Sequence, residues 1–252
     1  MRMAKRLSYR LYQEYWSALD WLFPPNCGGC GKTGTRWCLP CQSSVQKIEP
    51  PLCVKCGQKL VHGGFCLRCK KNTPRYTALR SWAVFDGNVR SALHQLKYTR
   101  NTGLGEILSR SMVILAENVN WEIDLVTPVP LGLARLAERG YNQSSLLARP
   151  LSLAMNVPYR PQILTRARET RSQVGLTAAE RWLNVSGAFL AQTSWVAGRS
   201  VLVVDDVTTS GSTLEACAEA LFTAGARQVY GLTFARAVYK SPLLSGPSIP
   251  DN

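Results

Sequence analysis

Residues 201–213 read VLVVDDVTTSGST: four apolar residues, two adjacent carboxylates, then a run of hydroxyls around one glycine. Each part has a chemical use. A buried strand that ends at Asp205 and Asp206 presents them at the carboxyl edge of a sheet, where open α/β folds bind ligands. Paired carboxylates there accept hydrogen bonds from the vicinal hydroxyls of a ribose. Thr209, Ser210, Gly211, Ser212 and Thr213, with Thr208 before them, supply backbone N–H groups and hydroxyls at a helix start, which is a phosphate cradle. Hydroxyl pair and phosphate stand one sugar apart, so the implied ligand is a ribose 5-phosphate. The competing reading is a solvated strand end followed by an ordinary helix cap.

A second chemistry lies upstream. Eight of the nine cysteines form four Cys-x-x-Cys pairs, Cys27/Cys30, Cys38/Cys41, Cys53/Cys56 and Cys66/Cys69. Two intervening residues let one knuckle turn aim both sulfurs at a tetrahedral ion, and eight thiolates satisfy two structural Zn²⁺ with no open position. Sequential pairing is the expectation, although an interleaved pairing uses the same cysteines. Redox chemistry would need a pair opening a helix beside a βαβ unit. His62 reads as a surface loop residue, and Cys217 as a buried structural cysteine.

These groups need elements to hold them. Leu7, Leu11, Tyr15, Ala18, Leu19 and Leu22 predict an amphipathic helix over 4–22, stopped by Pro24 and Pro25. Its apolar stripe is expected to pack on the protein itself, while Arg2, Lys5, Arg6 and Arg10 permit a membrane or nucleic-acid surface instead. Residues 26–73 have few aliphatics and need metal to fold. From Ala78 onward strands at 79–85, 125–129, 162–164, 200–204 and 228–234 alternate with helices at 89–97, 105–117, 144–154 and 213–224. That alternation predicts an α/β fold with a mainly parallel sheet covered on both faces. The expected units are the helix over 1–23, the zinc module over 24–75, the α/β domain over 78–240 and a disordered tail over 241–252.

The formal charge of +14 is lopsided: residues 1–80 hold 14 Lys and Arg against 3 Asp and Glu. A polyanion partner should therefore meet the N-terminal third, where Trp16, Trp21, Trp37, Phe65 and Tyr76 are available to stack on unpaired bases. No apolar run is long enough for a transmembrane segment, and no secretory signal precedes the cysteines, so a cytoplasmic protein is expected.

Residues 125–131 run a strand into a turn, followed by Arg135, Arg139 and the string Gly140-Tyr141-Asn142-Gln143. Residues 166–184, with Arg166, Arg168, Arg171 and Arg181, match the place of the mobile loop that closes over the substrate in type I phosphoribosyltransferases, whose signature the 201–213 string resembles. Together with HQLKYTRN around Lys97 and Tyr98, the VVDDVTTSGST string and the cysteine pairs, this closely resembles the ComF family of competence-type proteins, including its GntX-like branch. The resemblance spans about residues 24–238; the 201–213 string by itself resembles the signature of type I phosphoribosyltransferases, from which Thr208 departs by standing where an aliphatic residue is usual. It implies a type I phosphoribosyltransferase-like domain behind a double zinc ribbon, and phosphoribosyl pyrophosphate (PRPP) bound with Mg²⁺ by Asp205, Asp206, the 208–213 loop, Arg135, Arg139 and Lys97. It also implies a role in handling DNA after uptake, with single-stranded DNA and DNA-uptake or recombination proteins as partners. A nucleobase-salvage transferase and a PRPP sensor without turnover are the alternatives, and the sequence names no acceptor.

Overall fold

The computed structural model describes residues 2–168 and 177–238. The expected tail over 241–252, Arg171 and the side chain of Arg181 lie outside the described residues. The chain opens with α1 (Arg2–Leu22), then the short α2 (Leu39–Ser43) and α3 (Leu67–Lys71) within the cysteine region. There follow β1 (Ala78–Val84), α4 (Gly87–Tyr98), α5 (Leu104–Asn118), β2 (Leu125–Pro128), α6 (Leu133–Arg139) and α7 (Gln143–Met155). The last part comprises β3 (Leu164–Arg166), α8 (Ala178–Val185), β4 (Phe189–Ala191), α9 (Thr193–Val196), β5 (Ser200–Thr208), α10 (Ser212–Thr223) and β6 (Gln228–Arg236).

Four strands form one parallel sheet in the order β1-β6-β5-β2. Its strands are buried on both faces, as helical crossovers require. Along β5, Leu202 and Val204 enter one core with Leu93, Leu104, Leu147 and Phe234, while Val201 and Val203 enter the other with Leu79, Leu214 and Leu221. The strand expected at 162–164 is displaced. β3 pairs antiparallel with β4, apart from the main sheet, with Leu164 opposite Ala191 and Arg166 opposite Phe189. A three-residue strand carries too weak a periodicity to reveal its partner.

The cysteine region is built into this core. Cys27, Trp37, Cys38 and Cys41 pack into the first core, and Cys53, Cys56, Cys66 and Cys69 into the second, so the two knuckle pairs straddle the sheet. Between them the chain runs beside edge strand β1, where Ile48 N donates to Trp82 O at 2.9 Å and Val84 N to Gln46 O at 2.9 Å. This covers an edge that would otherwise present unpaired backbone. Gly57, at φ +70°, lies so close to β1 that a Cβ there would stand 2.4 Å from the Leu79 carbonyl oxygen. Only glycine fits.

Helix α1 lies against α7, but not by the stripe that its sequence suggests. Tyr9, Tyr12, Trp16 and Leu19 are half-buried, whereas Leu7, Leu11, Tyr15 and Leu22 are exposed. The anchor is polar: Asp20 pairs with Arg36, whose guanidinium lies 4.8 Å from the centre of the Trp16 ring.

Candidate functional site

β5 outruns its neighbour on one side. It pairs with β2 only as far as Pro128 opposite Val204, yet continues along β6 to Thr208 opposite Arg236. Asp205 and Asp206 thus sit within a strand held on one side and open on the other. Asp206 is buried; Lys97 from α4 places its Nζ 2.5 Å from Oδ2, and Gln143 Nε2 donates to Oδ1 at 3.1 Å. Asp205 is half-buried and accepts at Oδ1 from Ser144 Oγ at 2.7 Å and from the Asp206 backbone N–H at 2.9 Å.

The two carboxylates are therefore set in different electrostatic positions. Burial, then the adjacent charge of Asp206, pushes the Asp205 carboxyl up to about 7, against the Ser144 hydrogen bond and Lys97. Burial opposes the charge on Lys97, but the Asp206 carboxylate outweighs it, and the ammonium is held above its ordinary value. Arg139 hydrogen-bonds Gln143, extending the network to α6.

Gln143 and Ser144 hold the carboxylates, yet the sequence gives them no role beyond a motif letter and a helix start. The available signal is Asn142, whose side chain accepts from Ser144 N at 3.0 Å and caps α7. A capped helix opening directly after the β2 turn delivers its first residues to the same sheet edge. Helix α6, absent from the sequence reading, carries Arg135 and Arg139 and ends at Gly140 with φ +82°.

Beyond β5 the chain turns through Thr209 and Ser210 into α10. Gly211 takes φ +82°, and Ser210 Oγ lies 2.7 Å from Ser212 Oγ. Thr208 is buried, and its hydroxyl finds no hydrogen-bond partner among the described residues; neither does that of fully buried Tyr76. Both lie under Gly211, where a Cβ would be 3.4 Å from the Tyr76 oxygen and 3.9 Å from Thr208 Oγ1. A cavity of about 930 Å³ opens above, lined by Asp205, Asp206, the whole 208–213 loop, Lys97, Arg135, Arg139 and Arg166. Arg100 joins them from the end of α4. The carboxylates, the 208–213 loop, Lys97, Arg135 and Arg139 thus share one site. Arg168 is not among its lining residues, and its guanidinium donates to the Ser186 carbonyl at 2.9 Å.

The cysteines assemble sequentially. Cys27, Cys30, Cys38 and Cys41 form one cluster and Cys53, Cys56, Cys66 and Cys69 the other, the sulfurs of each lying within 4.8 Å of one another. The two knuckles repeat at an offset of 26 residues: Cys27 N donates to Lys32 O and Cys53 N to Gln58 O, both at 2.8 Å. Burial opposes ionisation of Cys27 and Cys53, but backbone N–H groups aimed at each sulfur outweigh it and pull both thiols to about 6. Closed sets of four soft sulfur ligands, gathered this tightly, fit two structural Zn²⁺. His62 is exposed and belongs to neither cluster, while Cys217 is buried in α10.

Residues 18–70 match the double zinc ribbon domain family, and residues 122–238 the phosphoribosyl transferase domain family. DNA utilization protein YhgH of Escherichia coli (strain K12) is 33% identical over 198 residues, covering 76% of this chain and 86% of that protein. Competence protein F of Haemophilus influenzae is 28% identical over 208 residues, covering 79% and 90%. The chain belongs to the ComF family. Among solved structures, an adenine phosphoribosyltransferase is similar at 21% identity, covering 56% of this chain and 74% of that one with a TM-score of 0.38. As a ComF-family member, the chain joins a double zinc ribbon to a phosphoribosyltransferase-type sheet.

Proposed function

We propose that this ComF-family protein binds PRPP at the Asp205–Asp206 site and acts on or beside single-stranded DNA in the cytoplasm as an accessory of DNA uptake. The observation that carries the ligand is the carboxylate pair itself, oriented by Lys97, Gln143 and Ser144 on the wall of a cavity that runs on to the 208–213 loop. Ribose hydroxyls meet the carboxylates, the 5-phosphate meets the loop N–H groups and hydroxyls, and pyrophosphate meets Arg135, Arg139 and Arg100. The donor set suits Mg²⁺ as well: both hydrogen bonds to Asp205 among the described residues go to Oδ1, which leaves Oδ2 for an ion. Bound with PRPP, Mg²⁺ would neutralise pyrophosphate charge beside Asp205 and Asp206.

For DNA, the second ribbon supports the reading better than the aromatic residues around it. Trp37 and Tyr76 are buried and Trp16 is covered by Arg36, so they offer no stacking face. Phe65 and Leu67 are exposed on the ribbon, and Lys59, Arg68, Lys70 and Lys71 of the same ribbon are exposed as well.

The test is thermal unfolding with PRPP and with ribose 5-phosphate, followed by PRPP turnover with and without single-stranded DNA. Ligand at about 100 times Kd stabilises by about 2.7 kcal/mol, a rise of roughly 5–10 °C for a chain of this size. Asp206→Asn should abolish the rise and keep the zinc content. Asn is preferred to Ala because it retains a partner for Lys97. An undiminished rise in that variant places the ligand elsewhere.

A further inference from the structure

Helix α1 is fastened with its apolar stripe facing outward. The face turned to the body holds Tyr9, Tyr12, Trp16 and Asp20, and Asp20 and Trp16 are clamped by Arg36, which also reaches Asn101 Oδ1 at 3.3 Å. Outward stand Leu7, Leu11, Tyr15, Ala18 and Leu22, at spacings of four, four, three and four residues along one side of the helix. The larger four are 56–60% exposed, and Trp21 and Phe23 beside the stripe's end are 83% and 73% exposed. A contiguous apolar face of this kind on a folded chain marks a docking surface.

Charge selects the occupant. Residues 1–23 carry Arg2, Lys5, Arg6 and Arg10 against Glu14 and Asp20, and Asp20 is already engaged by Arg36. A second copy would bring one formal charge of +14 against another. A nucleic acid would satisfy the basic groups but gives four large aliphatic and aromatic side chains no apolar phase. The boundary between anionic headgroups and acyl chains offers both, and tyrosine and tryptophan favour that boundary. No helix among the described residues is long and apolar enough to cross a membrane, so this one would lie in the surface plane.

We propose that α1 docks the protein on an anionic lipid surface, with Leu7, Leu11, Tyr15 and Leu22 entering the headgroup–acyl boundary. The docking needs no ligand in the ribose-phosphate cavity and stands or falls separately from it. The test is flotation of the full, zinc-loaded chain with phosphatidylcholine vesicles and with mixed phosphatidylcholine–phosphatidylglycerol vesicles. The protein should float with the mixed vesicles and far less with phosphatidylcholine alone. The double variant Leu11→Gln/Leu22→Gln, made at exposed positions, should keep its melting temperature and zinc content but lose at least about tenfold in partitioning, the loss expected from two leucines no longer leaving water. Failure of the parent chain to float with mixed vesicles overturns the proposal. So does equal flotation of parent and variant, which would make the attraction purely ionic. Sedimentation showing a dimer that the variant dissolves, without vesicle binding, assigns the stripe to a second copy instead. A variant that loses single-stranded DNA while keeping vesicles assigns it to nucleic acid.

Discussion

Asp205 and Asp206 are neighbours in the chain, yet the fold gives them different tasks. Asp206 is tied to Lys97, while Asp205, raised by burial and by its neighbour's charge, titrates near 7. A carboxyl raised in the folded state contributes stability that is fully present below its ordinary value and lost as pH climbs through about 7. The protein without ligand should therefore become less stable over that window. Ribose hydroxyls need an acceptor, so affinity runs the other way: PRPP should bind more tightly at about pH 8 than at about pH 6, which calorimetric titration measures directly. Asp205→Asn should flatten that dependence. Gly211→Ala tests the loop, since φ +82° costs a residue with a Cβ about 1–2 kcal/mol, and the added carbon would meet the Tyr76 hydroxyl. The expected outcome is a fall in melting temperature together with a weakened PRPP shift.

At the scale of elements, the second ribbon carries a prediction for single-stranded DNA. Phe65 is exposed on the ribbon that also carries exposed Lys70 and Lys71, so Phe65→Ala should cost about 1–3 kcal/mol of DNA affinity if the ring stacks on a base. Charge reversal at Lys59 and Lys70 should lower the dependence of log K on log salt by about 0.7 for each phosphate no longer neutralised. Fluorescence anisotropy across a salt series reads both, and unchanged slopes would move the site away from the ribbon. The elements themselves are unevenly legible in the sequence. β5 and α10 follow from a dense apolar run and a hydroxyl-rich helix start, although β5 extends through the carboxylates to Thr208 rather than ending before them. β3 reads as one more member of the parallel sheet and is not, because three residues carry no information about which strand they join.

Across the whole molecule, cysteine clusters and sheet are one structure. The cysteine clusters lie in both hydrophobic cores, and Arg236 at the end of β6 is buried with its guanidinium on the Cys56 carbonyl. Chelation should accordingly lower the stability of the entire chain in one cooperative step, not release a separate ribbon. Elemental analysis should return two Zn²⁺ per chain, and Cys27→Ser and Cys53→Ser should each destabilise the sheet although they act on opposite faces. A chain lacking residues 1–77 should fail to stay soluble, because it uncovers edge strand β1 together with Leu93 and Leu104 on one face and Leu79 on the other. Limited proteolysis with and without chelator distinguishes this from independent units.

The sequence alone determined the chemistry that is local. Two thiols in a Cys-x-x-Cys knuckle, two carboxylates ending an apolar run, and hydroxyls around Gly211 are fixed within a few bonds of each other, so spacing suffices to show which groups stand together. Tertiary structure decided what spans many residues. Gln143 and Ser144 reach carboxylates more than 60 positions away, Tyr76 slips under Gly211, the ribbons divide between two cores, and α1 turns its leucines outward because Arg36 holds the opposite face. Periodicity shows that a helix has two faces; which one is buried depends on the strength of contacts offered by distant residues, and here a guanidinium with an acid and an indole outweighed an aliphatic stripe.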